Sequence, residues 1–411
     1  MLKFPALALC LLMFVLGQAR AADQGFTDER AEHRRTYTNN DHGEDGVKFS
    51  CGPERLAQIA AKMRAYLDRL GIAPALYEQH AGRDGADLIF HLATPADDVA
   101  TLDLRFRPEM EIRDELITLP AAGARQVTVL TVSEKEIVLA LLQHGRLSEF
   151  AGEQCEFQAF RDQVGIRQNT VAWAETLEWV WPDGGRARWN TRLWKNGTPR
   201  PGVSISRAVG DAFLNQKKYA IGCYTASKLV MLQGVLDYYA RVKHSPGELA
   251  RVEQRLLAND RDPLVRIEPR ALWAFEEGFE ASELWQRGKL FEMRYNIPSR
   301  NFVPGDWAYL LNTDATTYQK TGYEGSNAIY LGRGLFDDYY NDHNHAYQFR
   351  EKLDEVYQWR HHVFSRSRDV AKLRPMTESE VEKLTATPQQ GGLLIDVRVF
   401  FQPSPGPVVL P

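Results

Sequence analysis

Cys223 follows Gly222 and opens the run Cys223-Tyr224-Thr225-Ala226-Ser227-Lys228-Leu229, which reads as the first turns of a helix. A thiol at a helix start faces unpaired backbone N–H groups and the positive end of the macrodipole, a setting that favours thiolate over thiol. The same N–H groups can stabilise an oxyanion on an attacked carbonyl. Gly222 allows a tight turn and a close approach of substrate to the backbone. Such a thiol attacks acyl carbons, and the resulting acyl-enzyme divides one difficult step into two easier ones. By position alone, the same cysteine reads equally well as a small buried hydrophobe at a helix start.

About a hundred residues on, Pro304-Gly305-Asp306-Trp307-Ala308-Tyr309-Leu310 reads as a turn entering a strand. Ser326-Asn327-Ala328-Ile329-Tyr330-Leu331-Gly332 reads as a second strand. The order of helix-capping Cys, Gly-Asp-aromatic strand and Asn-x-Ile-Tyr-Leu-Gly strand resembles the papain-like cysteine enzymes. Within that superfamily the chain is most similar to the bacterial protein-glutamine γ-glutamyltransferases, the spore-type transglutaminases, whose pattern resembles YAxxCxTA, then GDxxYxxN, then GxNxIxLG. The counterparts are Tyr219-Ala220-Ile221-Gly222-Cys223-Tyr224-Thr225-Ala226, Gly305-Asp306-Trp307-Ala308-Tyr309-Leu310-Leu311-Asn312 and Gly325-Ser326-Asn327-Ala328-Ile329-Tyr330-Leu331-Gly332. The resemblance spans about residues 219–345, with a long insert after the cysteine helix, and does not reach the N-terminal half.

The resemblance implies that Cys223 is the nucleophile. The family carries a catalytic glutamate where this chain has Ser326, and related hydrolases carry a histidine there. A serine hydroxyl is a poor base near neutral pH. Glu324 lies two residues earlier, on the same face of an extended segment and one step of ~6.6–6.8 Å away, so it is a candidate base. The family also has a histidine shortly after the Leu-Gly turn; here His345 matches better and His343 is the runner-up. Histidine is the usual acceptor of a thiol proton, and Asp342 or Asp338 could orient it in a nucleophile–base–orienter arrangement. The Asp342-His343-Asn344-His345 run also has a metal-binding reading. Strand alternation, however, sends its two histidines to opposite faces, whereas metal sites want three or four convergent ligands. No metal is therefore expected there. Ser326, Trp307 and Tyr323, with Tyr309 and Phe336, are expected to wall the site and keep water out. Asp306 is expected to fix its turn.

The implied reaction is acyl transfer: Cys223 attacks a protein glutamine side chain, ammonia leaves, and a lysine amine attacks the thioester to give an isopeptide crosslink. The partners are protein substrates bearing glutamine and lysine, and no cofactor is required. Two other readings stand beside it. One is hydrolysis by a papain-like amidase, endopeptidase or glutamine deamidase, with water intercepting the acyl-enzyme. The other is a degenerate scaffold that binds but has lost its base at Ser326.

These residues need elements to hold them. The first residues join Lys3 to an apolar run and a small-residue box at Ala19-Arg20-Ala21, the pattern of a signal peptide over 1–22 and of a secreted or periplasmic protein. That run is too short to span a membrane. A net charge of −4 gives no reason to propose a nucleic-acid partner. Beyond the signal three cysteines remain, Cys51, Cys155 and Cys223, an odd number in a compartment where disulfides persist. The economical arrangement pairs Cys51 with Cys155 and leaves Cys223 reduced; three unpaired buried cysteines are the alternative.

Residues 53–70 place Leu56, Ile59, Ala60, Met63 and Leu67 at helical spacing, with Gly71 as a stop. DLIFHLA, TLDLRFR, RQVTVLTVS and EIVLALLQ read as strands, and residues 148–164, including Cys155, as a helix. Turn formers at 194–202 suggest a boundary. Beyond it come the cysteine helix, a helical insert near 247–285, and the strand-like LFEMRYNI, PGDWAYLLN, NAIYLG and GLLIDVRVFF. The expected organisation is α+β: an N-terminal α/β domain over 23–200 and a papain-like catalytic domain over 201–411. In the latter, the nucleophile-bearing helix packs on an antiparallel sheet.

Overall fold

The computed structural model describes residues 45–82, 85–94, 101–180, 182, 187–195, 197–259, 291–294, 297, 301–312, 314, 316–317, 320, 323, 325–337, 346–364, 373–386, 393 and 395–400. The expected signal peptide and the part of the expected insert beyond 259 lie outside these residues. Among the described residues the helices are α1 (Pro53–Arg69), α2 (Glu134–Leu142), α3 (Phe157–Ala174), α4 (Ile205–Leu214), α5 (Cys223–Asp237), α6 (Pro246–Asn259), α7 (Phe349–Arg360) and α8 (Glu378–Thr385). The strands in the first part are β1 (Gly46–Ser50), β2 (Tyr77–Ala81), β3 (Asp87–Leu92), β4 (Glu115–Ala121), β5 (Arg125–Thr131), β6 (Leu147–Ala151), β7 (Trp194–Lys195) and β8 (Thr198–Pro199). After them come β9 (Phe291–Arg294), β10 (Trp307–Leu311), β11 (Gly325–Gly332), β12 (Leu335–Asp337), β13 (Ala346–Gln348) and β14 (Ile395–Phe400).

The first sheet runs β2-β3-β1-β6, with β1 antiparallel to β3 and parallel to β6. Helix α1 buries the stripe its sequence announces, Leu56, Ile59, Ala60, Met63 and Leu67, together with Tyr66. The chain turns off it at Gly71, whose φ of +67° suits a residue without Cβ. Cys51 and Cys155 form a disulfide that ties the start of α1 to the approach to α3, and Cys223 is a free thiol.

Three expected elements change type. EIVLALLQ is helix α2, not a strand. Ser133 caps it by accepting from the Glu136 N–H, and burial on nearly every side erases the period that separates a buried helix from a buried strand. TLDLRFR is a 3₁₀ stretch, Thr101–Phe106. The segment 148–164 divides: its first residues are strand β6, and helix α3 starts at Phe157 and continues to Ala174.

The turn-rich segment at 194–202 contains the small hairpin β7–β8. Helices from either side of it meet: Asn169 of α3 donates to the Gly234 carbonyl of α5 at 2.8 Å, and the Trp173 indole donates to Asp237 at 2.9 Å. One apolar cluster includes Val47 and Phe49 of the first sheet, Val164 and Val171 of α3, Leu229 and Val230 of α5, and Trp307, Ile329 and Leu331 of the second sheet.

That second sheet runs β13-β12-β11-β10-β14-β9, with every neighbouring pair antiparallel. Alternation gives it two faces. Trp307 and Ile329 turn toward α5 and the large core, while Ala308, Leu310, Ala328 and Tyr330 turn toward α7 and a second cluster with Leu353, Val356 and Trp359. The architecture is α+β, with the cysteine-bearing helix on one face of an antiparallel sheet and α7 on the other. Among the described residues, no helix is long and apolar enough to cross a membrane.

Candidate functional site

Cys223 is the first residue of α5, and Gly222 stands at the N-cap, so no side chain caps that helix end. Gly222 has φ −79° and ψ 164°, extended backbone open to any residue, so the freedom expected of this glycine is not used. The approach to the cysteine is strapped down instead. Ala220 and Arg188 exchange backbone hydrogen bonds at 3.0 and 2.8 Å, and the Ile221 N–H donates to the Val180 carbonyl at 3.1 Å. Tyr219 is fully buried; its hydroxyl donates to Asp211 at 2.6 Å and accepts from the Trp194 indole at 3.1 Å. Burial, and then Asp211, push the Tyr219 phenol well above its ordinary range, which marks it as an anchor rather than a proton carrier.

Strand β11 supplies the partner of the thiol. The side-chain amide of Asn327 donates to the Cys223 sulfur at 3.5 Å, and its carbonyl oxygen accepts from the Trp307 indole at 2.8 Å. The Trp307 ring meets the Tyr224 ring edge-on at 5.0 Å. Cys223, Asn327, Trp307 and Tyr224 thus form one contiguous group: a partly exposed cysteine, an amide held by an indole, and a tyrosine ring against that indole. Asn327 belongs to the Gly-Ser-Asn-Ala-Ile motif of β11, and strand alternation puts it on the face of Ile329.

Ser326 lies on the opposite face of β11. Its hydroxyl donates to Glu355 of α7 at 2.8 Å, and the buried Lys352 ammonium pairs with the same carboxylate oxygen at 2.9 Å. Tyr323 is packed with Trp359 and Phe364, at 5.4 and 5.1 Å between ring centres, and its hydroxyl donates to the Phe364 carbonyl. Of the expected wall residues, the structure therefore brings Trp307 to the cysteine and places Ser326 and Tyr323 with α7 and the segment after it. Tyr309 stands opposite Asn327 in the β10–β11 register. Glu324, His343 and His345, like Asp338 and Asp342, lie outside the described residues.

The turn into β10 rests on charge. Asp306 is completely buried and accepts from both Arg146 guanidinium nitrogens (2.5 and 2.9 Å), from Arg167 at 2.9 Å and from the Val303 N–H at 2.8 Å. Burial alone would push its carboxyl up; the two guanidinium groups and the backbone donor hold it below the ordinary carboxylate range instead. Gly305 sits at φ +84°, and a Cβ there would come within 3.1 Å of the Arg167 backbone, so this turn calls for glycine twice over. The turn after β11 is held similarly. Glu136 of α2 accepts from the Arg333 N–H, and Arg333 pairs with Glu175 at the end of α3.

A family model for protein-glutamine gamma-glutamyltransferase matches residues 122–362, more than half of the 411-residue chain. Among solved structures, a transglutaminase from Geobacillus stearothermophilus, without its C-terminal extension, is similar at 18% identity and a TM-score of 0.35, over 59% of this chain and 90% of that one. No curated protein sequence matches the chain.

Proposed function

The chain belongs to the protein-glutamine gamma-glutamyltransferase family, and on that premise we propose that Cys223 carries a thioester-forming acyl transfer from glutamine to lysine side chains of protein substrates. The observation that supports it most is the donation of the Asn327 amide to the sulfur at the N-terminus of α5. A donor aimed at sulfur stabilises negative charge there, and the N–H groups of the first helical turn are oriented toward an oxyanion formed beside it.

In this reading the sulfur attacks the carboxamide carbon of glutamine, and the thiol proton leaves by way of Glu324, His343 or His345. Collapse of the tetrahedral intermediate breaks the C–N bond, and the nitrogen departs as ammonia with that proton. A lysine amine then attacks the thioester carbon, the C–S bond breaks, and the thiol is restored with the proton the amine gives up. The Trp307 and Tyr224 rings, linked to the sulfur through Asn327, put apolar surface near it, which favours an amine over water as the second nucleophile. The Cys51–Cys155 disulfide is compatible with a secreted or periplasmic location.

The test is incorporation of a labelled primary amine into casein, followed in parallel with ammonia release. The parent chain incorporates label and Cys223→Ala incorporates none. Label incorporation that survives Cys223→Ala would sink the proposal, and ammonia release without label would convert it to hydrolysis.

A further inference from the structure

The outer face of the first sheet carries a row of imidazoles that the acyl transfer does not use. His80 lies on β2, His91 on β3, and His144 between α2 and β6. Successive ring centres are 4.6 and 4.9 Å apart. The arrangement follows from strand geometry. Leu88, Phe90 and Leu92 of β3 point into the core, which turns His91 outward. Glu78 stands directly opposite His91 in the antiparallel register, and His80, two residues along β2, shares the face of Glu78.

With both imidazoles neutral, the hydrogens do not suffice for the lone pairs in this group. His91 Nδ1 is 2.9 Å from the Leu92 carbonyl, which can only accept, so the neutral imidazole of His91 has its hydrogen on Nδ1 and its lone pair on Nε2. That Nε2 lies 2.5 Å from His80 Nε2, which in turn lies 3.2 Å from the Glu78 carboxylate. His80 offers at most one hydrogen at this nitrogen to two acceptors. A cation placed among the three atoms satisfies all of them. The bond from His91 Nδ1 to a backbone carbonyl is also how ligating imidazoles are characteristically held.

His144 is committed elsewhere. Its Nε2 faces the Leu92 and Thr94 carbonyls at 2.9 Å each, and its Nδ1 faces Asp45 at 3.0 Å. It braces His91 from behind rather than sharing its lone pair.

We propose that Glu78, His80 and His91 bind one divalent transition-metal ion, zinc by its ligand chemistry, which clips the edge strand β2 to β3. Two imidazoles and one carboxylate suit zinc and leave a fourth position to water. Nitrogens about 2.0–2.1 Å from a tetrahedral ion stand roughly 3.3 Å apart. The imidazoles therefore open by a little under ~1 Å from the 2.5 Å contact, a movement the exposed side chains of β2 permit. Strand β2 is an edge of its sheet, so the clip adds a side-chain tie where only one neighbour offers backbone hydrogen bonds.

The experiment titrates the full chain carrying Cys223→Ala, which removes a thiol able to bind metal itself. Co²⁺ is followed by its visible d–d absorption, and Zn²⁺ by calorimetry and by displacement of Co²⁺. One equivalent of Zn²⁺ is expected to bind. His80→Ala, His91→Ala and Glu78→Gln should each weaken binding by about tenfold or more, while His144→Ala retains it. Glu78 and His80 are exposed, so their substitution leaves the fold intact. Absence of binding in the parent overturns the proposal, as does binding that survives His80→Ala with His91→Ala. Binding that follows His144 and Asp45 instead overturns the ligand assignment.

Discussion

Asn327 holds one amide between two unlike neighbours, and their chemistry decides which way it faces. The Trp307 indole can only donate, so it takes the carbonyl end and leaves the NH₂ end for the Cys223 sulfur. Asn327→Asp would replace that donor with a second acceptor carrying negative charge. We expect Asn327→Asp and Asn327→Ala to lower kcat for amine incorporation by about 10²-fold, the scale of a lost transition-state donor, with little change in KM. Trp307→Phe removes the orienting hydrogen bond and some buried packing but leaves the Asn327 amide in place, and should cost less, about tenfold. Steady-state kinetics with unfolding midpoints as a control distinguish these effects from misfolding, and wild-type kcat in Asn327→Ala would refute the role. At this scale the placement of Cys223 at a helix start and of Trp307 at a strand start was legible in the sequence, because each sits in a short local motif. Asn327 was not, because attention to the family's glutamate position leads to Ser326, its neighbour on the opposite face. Which of two adjacent residues meets the thiol depends on the pairing of β10 with β11 and on which helix covers which face. Neither is encoded within the strand. Glu355 and Lys352, which occupy Ser326, come from a helix whose partnership with β11 has no local signal at all.

The thiol's position depends on how α5 is seated, and its tightest contact is with α3. A Cβ on Gly234 would fall 2.0 Å from the Thr170 hydroxyl and 2.9 Å from the Thr170 Cα, which cannot rotate away. Gly234→Ala should therefore push the two helices apart and cost about 1–3 kcal/mol, the usual range for overpacking. Because Cys223 rides on the same helix, amine incorporation per folded molecule should fall as well. An unchanged denaturation midpoint in Gly234→Ala would show that the helices have room to spare. The same contact explains where sequence reading of the elements succeeded. Helix α1 is covered on one side only, so its 3.6-residue stripe is visible. In α5 the stripe of Ala226, Leu229, Val230 and Leu236 is buried as expected, but so are Ser227, Lys228 and Gln233, since α3, α4 and β11 surround the helix. Helix α2 is enclosed still more completely, and its continuous apolar run passes for a strand. Burial from all sides removes the contrast on which periodicity depends.

Across the whole molecule, the region from 122 to 200 acts as a clasp on the second sheet. Arg146 and Arg167 hold the turn into β10 through Asp306, while Glu136 and Glu175 hold the turn out of β11 through Arg333. These are the two strands that carry Trp307 and Asn327, so the site's geometry is fixed by residues more than a hundred positions upstream. That offers a physical reason for the family match to begin well before the cysteine. The central ion group is the place to test the clasp. Asp306→Asn would remove the carboxylate that both buried guanidinium groups share, and breaking a buried pair in this way costs about 3–5 kcal/mol. Arg146→Lys keeps the charge but loses the two-pronged geometry, and should fall between parent and Asp306→Asn. The pH dependence gives an independent reading. The Asp306 carboxyl is held below its ordinary 3.8 in the folded protein, so the unfolded chain binds its proton first. The stability it contributes is complete above that ordinary value and is lost as pH falls through the folded value. Denaturation followed from about pH 5 to about pH 2 should therefore show a steeper loss in the parent than in Asp306→Asn, whose neutral amide does not titrate. Parallel acid limbs for the two proteins would mean that this aspartate is not what the folded structure holds ionised, and that the clasp draws its strength from Arg333 with Glu136 and Glu175 instead.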